Sequence, residues 1–223
     1  MTPQLRIRRG FGFLPNQISG LLAWYRFNTG ITITGLGVSQ WDDQSGNGRH
    51  LTQGTDADRP SHSSGIITGD GATENLTTSS FTLIAQPITI VTRIKQVTWT
   101  GNECFLGMHT DGDVTFYQST ATPGIGLFLG SAQSTVNNDL AVNTWGTVIA
   151  ICDGASTSIQ VNGGAPASGI NPGTKGMNII QLFANGVGGA IGNIAIQDAA
   201  IYSKVLSSGE IGQLLGYMGG LGA

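Results

Sequence analysis

The sequence predicts an antiparallel β-sandwich or barrel that carries one helix. The chain has 223 residues, enough for one sizeable domain with its own core. Glycine contributes 35 residues, about twice its usual share of ~7%, and marks frequent turns. Charged residues make up only 10%, against a usual ~25%, which is too few for long solvated helices. Apolar runs therefore follow one another through turns as strands.

Eight runs have the composition of strands. Residues 21–28 are rich in aromatic and aliphatic side chains, which suits a strand buried on both faces. Residues 88–97 alternate, with isoleucines on one face and Arg93 and Lys95 on the other. The six further runs, each bounded by Gly, Asn or Asp, are Val114–Gln118, 126–129, Trp145–Cys152, Ser158–Val161, 179–183 and Ile194–Tyr202.

The one predicted helix spans residues 208–218. Ser207 and Glu210 form an S-x-x-E capping box at its start. The apolar residues that follow at helical spacing are Ile211, Leu214, Leu215 and Met218. This stripe predicts that the helix covers a sheet edge or an opening of the core.

Cysteines and targeting signals bear on the compartment. Cys104 and Cys152 lie in apolar segments, where buried free thiols are favoured and one disulfide is the alternative. The apolar patch after the basic N-terminus ends at Pro15, too early for a signal peptide. The longest apolar run, residues 148–152, is far too short for a membrane helix. We expect a soluble protein made in the cytosol, without membrane insertion.

Three segments resemble the laminin G-like, concanavalin A-like family. Residues 21–27 (LLAWYRF) and 41–51 (WDDQSGNGRHL) resemble its entry strand and its W-x-D-x-S-G-N-G loop. Residues 145–163 resemble its central hairpin, and residues 194–215 its closing strand and L-S-x-x-E-I helix. The resemblance implies an all-β, antiparallel two-sheet jelly-roll sandwich with one short C-terminal helix. The expected domain is 19–223, preceded by an arm of residues 1–18.

The sequence lacks the carboxylate pair of a retaining glycosidase. Those enzymes place two acids about 5 to 5.5 Å apart, on one strand in this superfold. Glu74 and Glu103 stand alone in the sequence, and Glu210 caps the helix. The close aspartate pairs and the three histidines lie in stretches without a metal or nucleophile motif. We expect no enzymatic activity.

Residues 43–48 resemble part of a calcium-binding loop. Asp43, Ser45, Asn47 and Gly48 reproduce the first half of a D-x-[DSN]-x-[DN]-G loop, but Gly54 stands where the bidentate acid is required. The favoured interpretation is a loop closed by hydrogen bonds from its aspartate and serine side chains. We expect no cofactor, with calcium at these residues as the alternative.

Saccharide binding would use an exposed aromatic side chain with amides around it, because a pyranose presents an apolar face and a polar edge. Trp99, just after the predicted strand at 88–97, and the nearby Asn102 are the candidates. The resemblance places Trp24, Trp41 and Trp145 in or against the core. A core position is also the alternative for Trp99.

The first 18 residues lie outside the resemblance and concentrate basic groups ahead of apolar ones. We expect residues 1–15 to become ordered only on contact with a partner. The alternative is a disordered or edge-strand tail. The residues predicted to dock are Arg6, Arg8, Arg9, Phe11 and Phe13.

The resemblance extends to domains found in bacteriophage virion proteins. It implies a non-enzymatic structural protein, a capsid decoration protein, head fibre or tail appendage, that displays a lectin-like domain on the virion. Its partners would be capsid or tail proteins and copies of itself, after synthesis in the host cytoplasm. The alternative is a lectin module for host glycans, and a glycan hydrolase is third. With ten basic residues and a net charge of -3, no specific nucleic acid is expected.

Overall fold

The computed structural model describes residues 12–131 and 134–221. In these ranges two antiparallel sheets form a sandwich with one α-helix near the C-terminus, which confirms the predicted fold class. The elements in chain order are β1 (Leu21–Tyr25), β2 (Ile31–Thr34), β3 (Gly37–Trp41), β4 (Leu51–Thr52), β5 (Ser61–Ser63), β6 (Ile66–Thr68), β7 (Leu76–Thr77), β8 (Ile88–Gln96), β9 (Cys104–Gly107), β10 (Val114–Gln118), β11 (Ile125–Leu129), β12 (Thr135–Asn137), β13 (Trp145–Cys152), β14 (Ser158–Val161), β15 (Ala167–Ser168), β16 (Gln181–Leu182), β17 (Ile194–Tyr202) and α1 (Ser208–Gly219).

The strands divide into a sheet of eight and a sheet of nine. The eight-stranded sheet runs β15-β14-β13-β8-β17-β6-β5, and β1 also pairs with β17. The nine-stranded sheet runs β12-β11-β10-β9-β16-β7-β4-β3-β2. Several neighbours, such as β17 and β8, are far apart in sequence, so the sheets depend on long-range pairing.

The main core fills the space between the two sheets. Ile90 and Ile94 from β8 meet the inward side chains of β9 and β10, and the rings of Phe105 and Phe116 stack at 4.8 Å between centroids. Trp41 is also fully buried in this core. The alternation predicted for residues 88–97 thus has one face in the main core.

A second apolar cluster lies on the outer face of the eight-stranded sheet. Val91, Ile149 and Ala200 point outward from three neighbouring strands, and Leu214 and Met218 of α1 pack on them. The helix therefore covers a sheet face rather than the expected edge or core opening. This coverage explains why the outward residues Val91 of β8 and Ala200 of β17 are buried, as the inward residues of these strands are.

The predicted cap of α1 is confirmed. Ser207 Oγ accepts the backbone N–H of Glu210, and Glu210 Oε2 accepts the N–H of Ser207 at 2.8 Å. These two bonds satisfy backbone donors at the helix start. The helix ends at Gly219, one residue beyond the predicted end.

The N-terminal boundary of the fold lies earlier than expected. Phe13, Leu14 and Ile18 pack in the outer cluster, and the Tyr202 hydroxyl donates to the Pro15 carbonyl at 3.0 Å. Phe13, one of the predicted docking residues, therefore packs against the folded domain of its own chain. The expectation that residues 1–15 become ordered only on a partner stays a prediction, and α1 and the sheet supply an apolar surface for Phe13 and Leu14. The other predicted docking residues, Arg6, Arg8, Arg9 and Phe11, lie outside the described residues.

A buried carboxylate joins β1, β17 and α1. Asp198 accepts hydrogen bonds from the Trp24 indole N–H at 3.0 Å, the Phe27 N–H at 2.9 Å and the Tyr217 hydroxyl at 2.8 Å. Complete burial nevertheless raises the pKa of Asp198 to about 7, because the charged form loses its hydration. Arg26, whose guanidinium lies over the Trp24 ring, opposes this rise.

Cys104 and Cys152 are buried and free, on β9 and β13 in different sheets. Burial raises the pKa of each thiol to about 12, so neither has thiolate character at neutral pH. Among the described residues, no helix is long and apolar enough to span a membrane.

Candidate functional site

Asp43 organises the loop between β3 and β4. Its side chain is buried and accepts four hydrogen bonds: Oδ1 from the Trp24 and Ser45 N–H groups at 2.9 and 2.8 Å, and Oδ2 from Ser45 Oγ and the Arg49 N–H at 2.8 and 3.0 Å. Both carboxylate oxygens are therefore engaged by protein donors. Three of these donors are backbone groups, so Asp43 fixes the path of the loop relative to β1.

Further contacts attach this loop to β1. Asn47 Nδ2 donates to the Leu21 and Leu22 carbonyls, both at 3.0 Å, and Arg49 Nη1 donates to the Leu22 carbonyl at 2.7 Å. Gly46 and Gly48 have φ values of +89° and +71°, a region that side-chain-bearing residues rarely adopt. The loop is thus fixed at both its turns and its polar side chains.

This arrangement does not fit a calcium site. Asp43, Ser45 and Asn47 do converge, but Asp43 faces N–H and O–H donors and Asn47 directs its NH2 group to Ser45 Oγ at 3.1 Å. A cation needs the lone pairs that these hydrogens occupy. Across residues 12–131 and 134–221, no three acids, cysteines or histidines group as metal ligands.

A polar pocket of about 380 Å³ lies beside the loop, and we call it the Arg49 pocket. The Arg49 guanidinium stacks on the Phe81 ring at 4.7 Å from its centroid, and the Arg49 carbonyl accepts the Tyr25 hydroxyl at 2.7 Å. The arginine is therefore held from its backbone to its charged end. The residues that line the pocket are Gln40, Asn47, Gly48, Arg49, His50, Thr52, Ser79, Ser80 and Phe81.

The chemistry of the Arg49 pocket suits a polyhydroxylated ligand. It combines amide, guanidinium, imidazole and hydroxyl groups with one aromatic ring, so it offers donors, acceptors and an apolar surface together. Gln40 and Thr52 stand opposite each other on β3 and β4, which places the pocket on the outer face of the nine-stranded sheet. Ser79, Ser80 and Phe81 follow β7, the next strand of that sheet.

A second pocket of about 250 Å³ opens on the same face, and we call it the Tyr117 pocket. Its walls come mainly from β9, β10 and β11 and from the segment after β16. The lining residues are Asn102, Cys104, Gly112, Thr115, Tyr117, Phe128, Asn185 and Ala190. None of these side chains carries a charge at neutral pH.

The structure separates the two residues predicted for glycan contact. Asn102 is exposed and lines the Tyr117 pocket. Trp99 is partly buried near Gly101 and does not line this pocket, and its indole nitrogen is buried without a hydrogen-bond partner among the described residues. Tyr117 and Phe128, which are partly buried like Trp99, supply the aromatic rings of the Tyr117 pocket, and a glycan contact at Trp99 stays a prediction.

The acidic residues of interest lie outside both pockets. Lys175 Nζ bonds both Asp111 and Asp113, and the pKa of Asp111 is lowered to about 2 by Lys175 and its other hydrogen-bond partners. Glu74 is not isolated as the sequence suggested, because Asp70 is its electrostatic neighbour. Burial and the Asp70 charge raise the pKa of Glu74 to about 7.

Some residues of these pockets had a signal in the sequence and others had none. Tyr117 and Thr115 alternate with the buried Val114 and Phe116, which places the first two on the outward face of a strand. Phe81 has no comparable signal, because it follows a two-residue strand whose pairing is long-range.

Comparisons with known proteins find similarity in fold and none in sequence families. No protein-family model matches the chain, and no curated protein matches it in sequence. A Trypanosoma rangeli sialidase solved with sialic acid superposes with a TM-score of 0.67 at 13% identity, over 92% of this chain and 34% of the sialidase. This chain therefore spans about a third of the sialidase.

Two botulinum neurotoxin structures are similar in the same way. The type C toxin, described as depending on two ganglioside molecules for cell entry, has a TM-score of 0.61 at 12% identity, over 91% of this chain and 52% of its own. The serotype D binding domain has a TM-score of 0.63 at 14% identity, over 89% and 52%. At these identities the similarity establishes the sandwich fold alone.

Proposed function

We propose that this chain is a lectin-like, non-enzymatic module that binds carbohydrate in the Arg49 pocket. The observation that carries the proposal is the pocket's composition. Sugar hydroxyls both donate and accept hydrogen bonds, and the pocket presents Gln40, Arg49, His50 and several serine and threonine hydroxyls around one space of about 380 Å³. Binding sites of this volume hold small ligands or the end of a larger one.

The rigidity of the loop favours binding. Asp43 and Asn47 fix the loop before any ligand arrives, and Arg49 is already stacked on Phe81. A side chain that is ordered in the free protein loses little conformational entropy when a ligand binds. The pocket can therefore bind a saccharide with little loss of conformational entropy in the side chains that line it.

The solved structures of similar fold support the class of ligand. The sialidase was solved with sialic acid, and the type C toxin is described with gangliosides. Hydrolysis is not transferred to this chain, since the match covers only 34% of the sialidase and no acidic residue is found among the residues that line either described pocket.

A place in a bacteriophage virion remains an expectation from the resemblance. The similar structures named above give the virion role no support. A lectin-like module displayed on a particle would bind host glycans through the same pocket, so the binding proposal does not depend on where the protein is located. Docking on capsid or tail proteins through Arg6, Arg8, Arg9, Phe11 and Phe13 is a separate proposal.

A glycan array with a pocket-filling variant tests the proposed function. Ser80 is exposed and lines the pocket, so Ser80→Trp fills the space without disturbing the core. Ser63, which is exposed on the eight-stranded sheet, gives the matched control Ser63→Trp. We expect binding by the wild type and the control and a loss of about tenfold or more in Ser80→Trp. No binding by the wild type, or equal binding by both variants, would overturn the proposal.

A further inference from the structure

The Tyr117 ring lies across the neighbouring strand. Tyr117 on β10 pairs with Gly126 on β11, and its ring atoms lie 3.0 to 3.3 Å from the position that a Cβ on Gly126 would take. Its hydroxyl donates to Ser134 Oγ at 2.7 Å, beyond β11. The ring therefore extends along the sheet surface over a glycine, with its far end fixed. Any side chain at position 126 would lift it.

Two asparagine side chains, whose NH2 groups are unpaired among the described residues, line the same pocket as this ring. Asn185 uses its Oδ1 to accept the Gly189 N–H at 2.7 Å, while its Nδ2 makes no hydrogen bond with the described residues. Asn102 is exposed at φ +71°, and its side-chain amide is likewise unpaired within the described part of the chain. Phe128, partly exposed, continues the apolar surface. The pocket thus offers an apolar platform with amide groups around it.

The Tyr117 pocket is separate from the Arg49 pocket. Thr52, in the Arg49 pocket, and Thr115, in the Tyr117 pocket, lie in one paired row that crosses β4, β7, β16, β9 and β10. Four strand spacings put them roughly 20 Å apart. Between them, Gly186 covers Gly107, so that a Cβ on Gly107 would be 2.5 Å from the Gly186 nitrogen. The segment after β16 therefore divides the face into two sites.

We infer that the Tyr117 pocket is a second saccharide site, specific for a neutral pyranose. The apolar face of the sugar would stack on Tyr117, and its hydroxyl edge would meet Asn102 and Asn185. The choice of a neutral sugar follows from the uncharged lining, in contrast to the Arg49 guanidinium in the first pocket. The inference rests on the proposed function for the ligand class but uses different residues.

Two sites on one face have a consequence for binding to surfaces. A glycan-coated surface can engage both pockets at once, and the second contact then forms at a high effective concentration. Affinity for an immobilised glycan would exceed that for the same glycan free in solution. Loss of either pocket would remove most of this difference.

The test isolates the second site by filling the first. The probes are the methyl pyranosides of glucose, galactose, mannose and N-acetylglucosamine, measured by saturation-transfer NMR with the full-length Ser80→Trp protein. We expect this protein to bind at least one probe. Adding Tyr117→Ala should weaken that binding by about tenfold, whereas Tyr117→Phe, which keeps the ring, should change it by less than about threefold.

Two measurements distinguish a variant that does not fold from a folded variant that does not bind. Thermal unfolding checks each variant, and the ring signals of Tyr117 in the Ser80→Trp protein should shift when the probe is added. Binding of the probes by the wild type but not by Ser80→Trp would overturn the second site and leave the proposed function intact. Unchanged binding by a folded Tyr117→Ala variant, or no probe binding by either protein, would also overturn it, while the glycan array decides the proposed function independently.

Discussion

The outer faces of the two sheets differ in what covers them. On the eight-stranded sheet, α1 and residues 13–18 lie over a patch of apolar outward residues that includes Val91, Ile149 and Ala200. On the nine-stranded sheet one paired row crosses eight strands from β11 to β2. That row consists of Phe128, Thr115, Gly107, Gln181, Thr77, Thr52, Gln40 and Thr32.

This difference assigns separate tasks to the two halves of the sandwich. Apolar burial on the helix-covered face adds a second cluster to the main core, and burial of that kind stabilises a domain. The threonine and glutamine row is covered at Gly107 by the segment after β16 and leaves room for one pocket on each side of it.

The largest expected effect is a pH dependence from the helix-covered half. The pKa of Asp198 is about 7 in the folded protein against 3.8 for an ordinary aspartate. The contribution of this group to stability is therefore complete below about pH 4 and is lost as the pH rises through about 7, a fall on the order of 4 kcal/mol. Urea unfolding followed by tryptophan fluorescence from pH 4 to pH 8 measures it.

Asp198→Asn is the control for this titration. The amide cannot ionise, and its NH2 group replaces an oxygen that accepts donors such as the Phe27 N–H. We expect lower stability at every pH and a flatter profile between pH 4 and pH 7. An unchanged profile in the variant would assign the pH dependence to other groups.

On the side of the nine-stranded sheet, Asp43→Ala should lower the free energy of unfolding by about 3 to 4 kcal/mol. The variant loses four hydrogen bonds, each worth about 0.5 to 1.5 kcal/mol, and frees the loop between β3 and β4. Asp42→Ala removes the neighbouring, more exposed carboxylate and should cost about 1 kcal/mol or less. Both values come from urea unfolding.

Calcium distinguishes the two interpretations of this loop. We expect millimolar calcium to leave the Tm of the wild type unchanged, because Asp43 is already saturated with donors. A rise of many degrees in the wild type that is absent from Asp43→Ala would instead identify a cation site through binding linkage.

Leu214→Ala tests how much the packing of α1 on the eight-stranded sheet stabilises the protein. It should lower the free energy of unfolding by about 3 kcal/mol. Leu214 of α1 is fully buried against the outer face of the eight-stranded sheet, so its loss leaves a cavity. Leu215, only partly buried, gives the smaller control effect in Leu215→Ala. Glycan binding should stay unchanged in Leu214→Ala. A parallel loss of binding and stability would mean that the two halves are not independent.

The sequence predicted the fold where the signal is local. β8, β13 and β17 are eight or nine residues long and apolar, and Ser207 and Glu210 announce the helix start. β2 to β7 were not predicted, because they are two to five residues long, mostly polar, and defined by partners elsewhere, as in the pairing of Thr52 with Thr77.

The candidate sites follow the same division. Asn47 was predicted for the loop after β3, with calcium as the alternative, and Asn102 was predicted for glycan contact; the structure places each of them in the lining of a pocket. Arg49 was quoted in the loop motif but had no predicted role, because its stacking partner Phe81 is 32 positions away in the sequence printed above. Only the pairing of β4 with β7 brings the two segments together.

The smallest expected effect is on hydrolysis, where we expect none. Most glycoside hydrolases cleave with two carboxyl groups close to the glycosidic bond, and the residues that line the Arg49 and Tyr117 pockets include no Asp or Glu. Asp70 and Glu74, whose pKa values are shifted in opposite directions, lie outside both pockets. The purified protein is incubated with β-glucans, agar, peptidoglycan and a sialoside, with Glu74→Gln and Glu103→Gln as matched variants. We expect no product above background from any of the three proteins. If the wild type hydrolyses a substrate and either substitution abolishes this activity, the protein is an enzyme and the substituted glutamate is required for catalysis.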